Sequence, residues 1–332
     1  MNHAATRNLF VAGIIGVALL AAACGVGSGD LGPVATPPPS EQPSLAIPTT
    51  DTTPGSTLGP SASPIGGPSS EPTPGSTGQP PETALPEGTT TVRAYFFLGS
   101  FVDNDGLAPV LRVIPKTEAV GTAAMNALLA GPNETELSAR PAMYTVIPEG
   151  TRFLGLRIAG GIATVNLSAE FESGGGSASV LGRLAQVVFT LTQFPTITGV
   201  KFELDGEAVT VFSGEGVALD SPVDRSDYTE MLPAVFLDRP AWGGVPNNPM
   251  HIVGMANTFE AVFHFRLLDA SGHKLAGGPL MATCGTGCWG TFDELIAYSV
   301  ASAGWGTLQV WEPSAVDGSV VNLTEYPVWL TP

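Results

Sequence analysis

The residues whose types and spacing could carry chemistry are few: three cysteines, a scatter of histidines and some neighbouring carboxylates. Cys284 and Cys288 bracket a Gly-Thr-Gly loop. Glycines allow the sharp bend that so short a bridge requires, and a disulfide is expected there, with a chain-entropy contribution of about 2 kcal/mol. The spacing C-x-x-x-C is not the redox spacing C-x-x-C, and no His or Cys pair lies at zinc-finger spacing, so no metal is expected. His264 falls on the polar face of a predicted strand, His251 begins another, and His273 lies in a turn. Histidines in such places are more often surface or satisfied side chains than bases. Neither G-x-S-x-G, H-E-x-x-H nor a P-loop occurs, and no cofactor is expected. Asp293 and Glu294 lie near Trp289, but adjacent strand residues point to opposite faces, which makes them edge charges. The cluster Asp103-Asn104-Asp105-Gly106 reads as a turn and not a calcium loop, because Ile114 stands where a bidentate Glu would be needed.

The elements around these residues begin with an apolar run. His3 and Arg7 make a weakly basic start, and Leu9 to Ala23 follow as a segment broken only by small residues. At about 15 residues it is short of the roughly 20 needed to span a bilayer, which fits an export signal better than a permanent span. The stretch Leu19-Leu20-Ala21-Ala22-Ala23-Cys24-Gly25 resembles the acceptor site of a bacterial lipoprotein signal peptide. One departure is that Ala21 holds the position where that family usually has Leu. The resemblance implies that residues 1–23 are removed and that Cys24 carries a diacylglycerol, whose two acyl chains would anchor stably where one is marginal. The expected location is therefore the outer face of the cytoplasmic membrane.

Residues 24–90 change character. Fifteen of the 30 prolines fall there with Gly, Ser and Thr, and there is no Lys or Arg. Such a composition cannot offset the entropy of ordering, so a disordered tether is expected, spanning roughly 45 Å as a flexible coil. The formal net charge of −17, with only 13 Lys and Arg, argues against a nucleic-acid partner.

Within residues 91–228, Val92 to Leu98 alternate as a strand, and Leu107 to Ile114 give a second. Met125, Leu128 and Leu129 mark a short helix that Gly131-Pro132 ends. Phe153–Ile158 and Ile162–Leu167 flank Gly160-Gly161, a two-residue hairpin signal. After Gly174-Gly175-Gly176, Ser177 is the expected N-cap of a helix whose stripe is Val180, Leu184, Val187, Val188 and Leu191. With no Walker lysine, the glycine loop is not read as an anion site. A strand from Val200 to Leu204 runs into the Asp205-Gly206 turn. The blocks "LAPVLRVIP", "ALLAGPNETE", "IPEGTRFLGLRIAGGIATVNLSAEF" and "LAQVVFTLTQFPTITGVKFELDGEAV" resemble the GerMN domain of sporulation and germination lipoproteins. Asn166 stands where that family commonly has Asp. The resemblance implies a small α/β module, similar to the ring-building motifs of secretion systems, that works by association and not by catalysis.

Residues 232–332 lose helical periodicity. A strand is expected from Phe259 to Leu267, with others at Val235–Asp238, His251–Met255, Thr291–Val300, Thr307–Glu312 and Tyr326–Leu330. Asn247-Asn248-Pro249, Ser271-Gly272, Gly277-Gly278 and Asp317-Gly318 read as turns. About seven short strands describe a β-sandwich. The blocks "NPMHIVGMANTFEAVFHFRLLDASG", "CWGTFDELIAYSV" and "GTLQVWEPSAVDGS" resemble the immunoglobulin-like domain that accompanies spore-germination proteins. All five tryptophans lie here. Leu308, Val310, Val328 and Leu330 should face the core, which turns Trp311 and Trp329 to an outer face, the candidate partner face if the last two strands pair.

The fold class expected is two-domain α+β: a small α/β domain, then an all-β sandwich, after a disordered linker. The expected function is that of a non-catalytic scaffold or accessory in an envelope complex of the sporulation and germination type. Its partners would be the membrane, through lipid, and envelope proteins or further copies of itself. The alternatives are a module that binds cell-wall glycan through its tryptophans and, behind it, a glycan-cleaving enzyme.

Overall fold

The computed structural model describes residues 86–100 and 104–332. The export signal, Cys24, nearly all of the tether and Asp103 lie outside the described residues.

The first domain opens with β1 (Thr89–Gly99) and β2 (Asn104–Pro115), paired antiparallel. Then come α1 (Val120–Leu129), the short α2 (Glu134–Ser138) and β3 (Met143–Tyr144). β4 (Phe153–Ala159) and β5 (Ile162–Leu167) form the hairpin around Gly160-Gly161, where both glycines take positive φ. α3 (Ser177–Leu191) carries the chain across to β6 (Gly199–Leu204), which pairs parallel with β5. This is the crossover that parallel strands require. β7 (Glu207–Ala208) closes that sheet, and β8 (Val211–Phe212) with β9 (Val217–Ala218) makes a separate hairpin.

Local chemistry explains most of these boundaries. α2 went unread in the sequence because five residues carry no period. What makes it a helix is a capping box: Asn133 accepts from Glu136 N at 3.0 Å, and Glu136 accepts from Asn133 N at 2.9 Å. α3 buries its predicted stripe completely, but Ser177 is not its cap. Gly176 holds that position, and the Ser177 hydroxyl donates instead to Glu215. Two glutamines on or just after α3 close the open edge of β1. Gln193 accepts from Arg93 N and donates to Arg93 O, both at 2.7 Å, and Gln186 donates to Tyr95 O at 2.8 Å. Side-chain amides thus stand in for a neighbouring strand and blunt the edge.

The second domain is a sandwich of seven strands: β10 (Val235–Arg239), β11 (Met250–Ala256), β12 (Val262–Asp269), β13 (Lys274–Met281), β14 (Gly290–Ile296), β15 (Gly304–Pro313) and β16 (Val320–Leu330). One sheet runs β10-β11-β14 and the other β13-β12-β15-β16. Three expectations change here. The strand predicted from Phe259 starts at Val262, because Glu260 and Ala261 take positive φ and leave Phe259 exposed. Gly285 is pressed against that kink, where an added Cβ would sit 2.2 Å from Ala261 N. Gly277-Gly278 is no turn but the middle of β13; a Cβ on Gly277 would lie 2.8 Å from Phe265 O, so the glycine serves close strand approach. The strand expected over Thr291–Val300 ends at Ile296.

The two domains share one hydrophobic core. Tyr95 of β1, Phe189 of α3 and Phe236 of β10 meet as a triangle with centroids 5.5–6.4 Å apart. A clasp of residues 242–244 joins their sheets: Trp242 N donates to Pro109 O at 2.9 Å, Gly243 N to Pro327 O at 2.8 Å, and Trp329 N to Gly244 O at 2.9 Å. The joint holds a charged centre. Asp238 accepts from the Tyr95 hydroxyl at 2.5 Å and from Arg225 at 3.1 Å, and lies 3.3 Å from Arg93. Arg225 and Arg93 each also donate to the Tyr95 oxygen at 3.1 Å.

Candidate interaction surface

Strand alternation in β15 and β16 decides what faces outward. Leu308, Val310, Tyr326, Val328 and Leu330 are buried between the sheets. Their neighbours Trp305, Thr307, Gln309 and Trp311 therefore project from the opposite side, as do Glu325, Pro327 and Trp329. Register then fixes who meets whom. Trp305 pairs with Trp329, Thr307 with Pro327 and Gln309 with Glu325; across β12, His264 pairs with Trp311 and Arg266 with Gln309.

The result is an aromatic-polar-aromatic row on one sheet face. At one end Trp305 and Trp329 pack edge to face, with centroids 5.3 Å apart. The Trp329 indole N–H is buried and has no hydrogen-bond partner among the described residues. In the middle, Arg266 donates to Gln309 at 2.7 Å, and Gln309 donates to Glu325. At the other end Trp311 lies 5.5 Å from the His264 ring and carries the Arg266 guanidinium 5.4 Å from its centroid. Trp311 and Trp329 thus share a face but stand about 20 Å apart along the strands, six residues of β15 separating their rows. Trp305 completes the first row. Sequence reasoning passed it over because the strand predicted there began at Thr307, whereas β15 starts at Gly304.

Cys284 and Cys288 are joined in a disulfide with their Cα atoms 5.9 Å apart. The bridged loop is a fastener for the kink before β12. Thr286 N donates to Thr258 O at 2.8 Å, Glu260 N to the Thr286 hydroxyl at 2.9 Å, and Gly287 N to the Asn257 side chain at 3.0 Å. The histidines are dispersed. His251 bonds Asp293 at 2.6 Å on an exposed face, and His273 sits in the Asp269 turn. No group of three or more His, Cys, Asp or Glu side chains arranged to hold a metal occurs among the described residues.

The electrostatics concentrate in the domain joint. Burial alone would raise the Asp238 pKa. The charges of Arg225 and then Arg93, with hydrogen bonds from Tyr95 and Arg225, more than offset that and hold it below the ordinary carboxylate range. Burial, followed by the Asp238 charge, pushes the Tyr95 phenol up to about 12 against the two guanidiniums.

Residues 93–210 match the family model described as sporulation and spore germination, and residues 234–319 match the immunoglobulin-like domain of bacterial spore germination. Among solved structures, the chain is similar to the first GerMN domain of the sporulation protein GerM from Bacillus subtilis. The two share 19% identity over 42% of this chain and 99% of that one, with a TM-score of 0.33. It is also similar to the tandem GerMN domains of the same protein, at 15% identity over 64% of this chain and 63% of that one, with a TM-score of 0.34. CopC from Methylosinus trichosporium OB3b aligns at 17% identity over 30% of this chain and 94% of that one, with a TM-score of 0.21. No curated protein matches the chain.

Proposed function

From a chain that carries a sporulation and spore germination domain followed by the immunoglobulin-like domain of bacterial spore germination, we propose a non-catalytic adaptor of a cell-envelope complex. Lipid on Cys24 anchors it to the outer face of the cytoplasmic membrane, and residues 24–90 tether the folded part away from the bilayer. The two domains act as a unit, because the Asp238 centre and the 242–244 clasp hold them together.

The observation that carries this reading is the row of Trp305, Trp329 and Trp311 on the outer face of the four-stranded sheet. Half-buried indoles grouped around polar side chains are the composition of protein-binding hot spots. The Trp311→Ser, Trp329→Ser double variant, with a photo-crosslinker at Thr307 in cells, is expected to lose the crosslinked envelope partner. Two anchors at about 2 kcal/mol each amount to a drop in affinity of several hundredfold. Unchanged crosslinking at an unchanged melting temperature would refute the docking face. Tryptophans flanking the planar Arg266, Gln309 and Glu325 groups also suit a sugar chain, and co-sedimentation with purified wall that depends on Trp311 and Trp329 would favour that partner.

The anchor is tested separately. Cys24→Ala is expected to move the protein from the membrane fraction to the medium, since the acyl chains supply about 0.8 kcal/mol per buried methylene. Membrane retention of the variant would remove lipidation from the reading.

A further inference from the structure

The joint between the domains opens into a cleft of ≈ 520 Å³, within the size range of sites that enclose small ligands or peptide ends. Its charge is unusual for so acidic a chain. Arg93, Arg239 and His251 line it, with Asp238 as its one carboxylate. Asp238 is already shared between two guanidiniums, and Tyr95 stays neutral up to about 12. The joint therefore carries one uncompensated positive charge before Arg239 is counted. Arg239 is exposed and has no ion-pair partner among the described residues. His251 adds charge only when protonated, and Asp293 stands 2.6 Å away to balance it.

The walls are apolar and come from both domains. Leu111, the cross-strand partner of Arg93, is 40% exposed, and Leu295 on β14 is 64% exposed. Val113 extends the same face of β2 and is 56% exposed. Val245 and Pro246 close the third side. Exposed apolar side chains gathered around a cationic floor select a ligand that is amphipathic in the same sense.

We propose that this cleft binds an extended peptide presenting a carboxylate next to an apolar side chain. The carboxylate would meet Arg93 and Arg239, and the apolar side chain would lie between Leu111 and Leu295. Guanidinium groups fork onto carboxylates, and the surrounding low-dielectric walls strengthen the pairing. The site uses neither Trp311 nor Trp329, so it stands or falls independently of the aromatic face.

The test uses the detergent-solubilised full chain and fluorescein-labelled peptides read by polarisation. The first probe ends in Ala-Leu with a free C-terminal carboxylate, the second is its C-terminal amide, and the third is amidated with an internal Asp-Leu. The carboxylate-bearing probes are expected to bind at least tenfold tighter than the amide, and which of the two binds better distinguishes a chain terminus from an acidic side chain. Arg239→Gln should weaken that binding about tenfold, and Leu295→Ser should weaken it as well, both at an unchanged melting temperature. Binding should also fall between 0.05 and 0.5 M salt, as expected for about one screened ion pair. The Trp311→Ser, Trp329→Ser variant should bind the probes normally. Equal binding of amide and carboxylate, no binding of any probe, or indifference to Arg239→Gln would overturn the proposal.

Discussion

Asp238→Asn is expected to destabilise the folded protein by about 3–5 kcal/mol at neutral pH, the range found when one partner of a buried ion pair is removed. The carboxylate is only 15% exposed and serves three donors: the Tyr95 hydroxyl, Arg225 and Arg93. An asparagine of the same shape keeps one acceptor oxygen. It leaves two guanidiniums facing each other across a fully buried phenol with no counter-charge. The loss should fall on the joint, because Arg93 and Tyr95 belong to β1 while Asp238 belongs to β10. Wild-type protein should unfold in one transition, and the variant should show the two domains melting apart. Its pH dependence follows from the shifts. Asp238 has a folded pKa below the unfolded value, so its contribution is present above about pH 4 and is lost as pH falls through the depressed folded value. Tyr95 is raised, so its contribution is whole below about pH 10 and is lost as pH rises towards about 12. Urea melts of both proteins across that range would show the wild-type advantage narrowing at the acid end. A neutral-pH difference under about 1 kcal/mol would mean that the centre is not holding the joint.

How much of this was legible in the sequence depends on whether the cause was local. The α3 stripe, the Gly160-Gly161 hairpin and the alternation of β11 and β16 each follow from a period or a turn, and each stands in the structure. The joint is different. Arg93 and Tyr95 sit on the alternate positions of a predicted strand, yet Tyr95 is completely buried, in part by a domain that begins more than a hundred residues later. The one available signal was a Tyr flanked by apolar residues on both sides with an Arg two positions earlier, which is too common to decide anything. Gly277 misled for a related reason. Glycine marks turns, but it also marks places where another backbone approaches, and only the tertiary neighbour distinguishes the two. For the aromatic face, alternation separates Trp329 from Val328 and Leu330, but only register brings Trp305 beside it.

Arg183→Met is expected to cost about 3–5 kcal/mol, the scale set by leaving several buried acceptors unpaired, although Arg183 touches no carboxylate. The side chain is 1% exposed, and burial pulls its pKa down from the ordinary arginine value. What holds the charge there is a cage of oxygens. Nη1 donates to Phe171 O at 2.8 Å and Ser173 O at 2.9 Å, Nη2 to Gly174 O at 2.8 Å and the Ser179 hydroxyl at 3.0 Å, and Nε to Ser179 O at 3.3 Å. All five guanidinium N–H groups are thereby matched, which is the condition for leaving a cation inside. The glycine loop before α3 now has a reason. A Cβ on Gly175 would lie 2.7 Å from Nη2 and 2.6 Å from the Ser179 hydroxyl, so the loop wraps an internal cation and turns its carbonyls towards it. Methionine fills similar volume but strips Phe171, Ser173 and Gly174 carbonyls of their donor, at about 1–3 kcal/mol for each acceptor left dry. Lysine brings three donors on a flexible stem in place of a fork, so Arg183→Lys should recover less than half of the loss. Urea melts give the magnitudes, and amide exchange should localise the damage to residues 171–180. If Arg183→Met melts within about 1 kcal/mol of wild type, water has entered the cage at little cost and the arginine is not what shapes the loop.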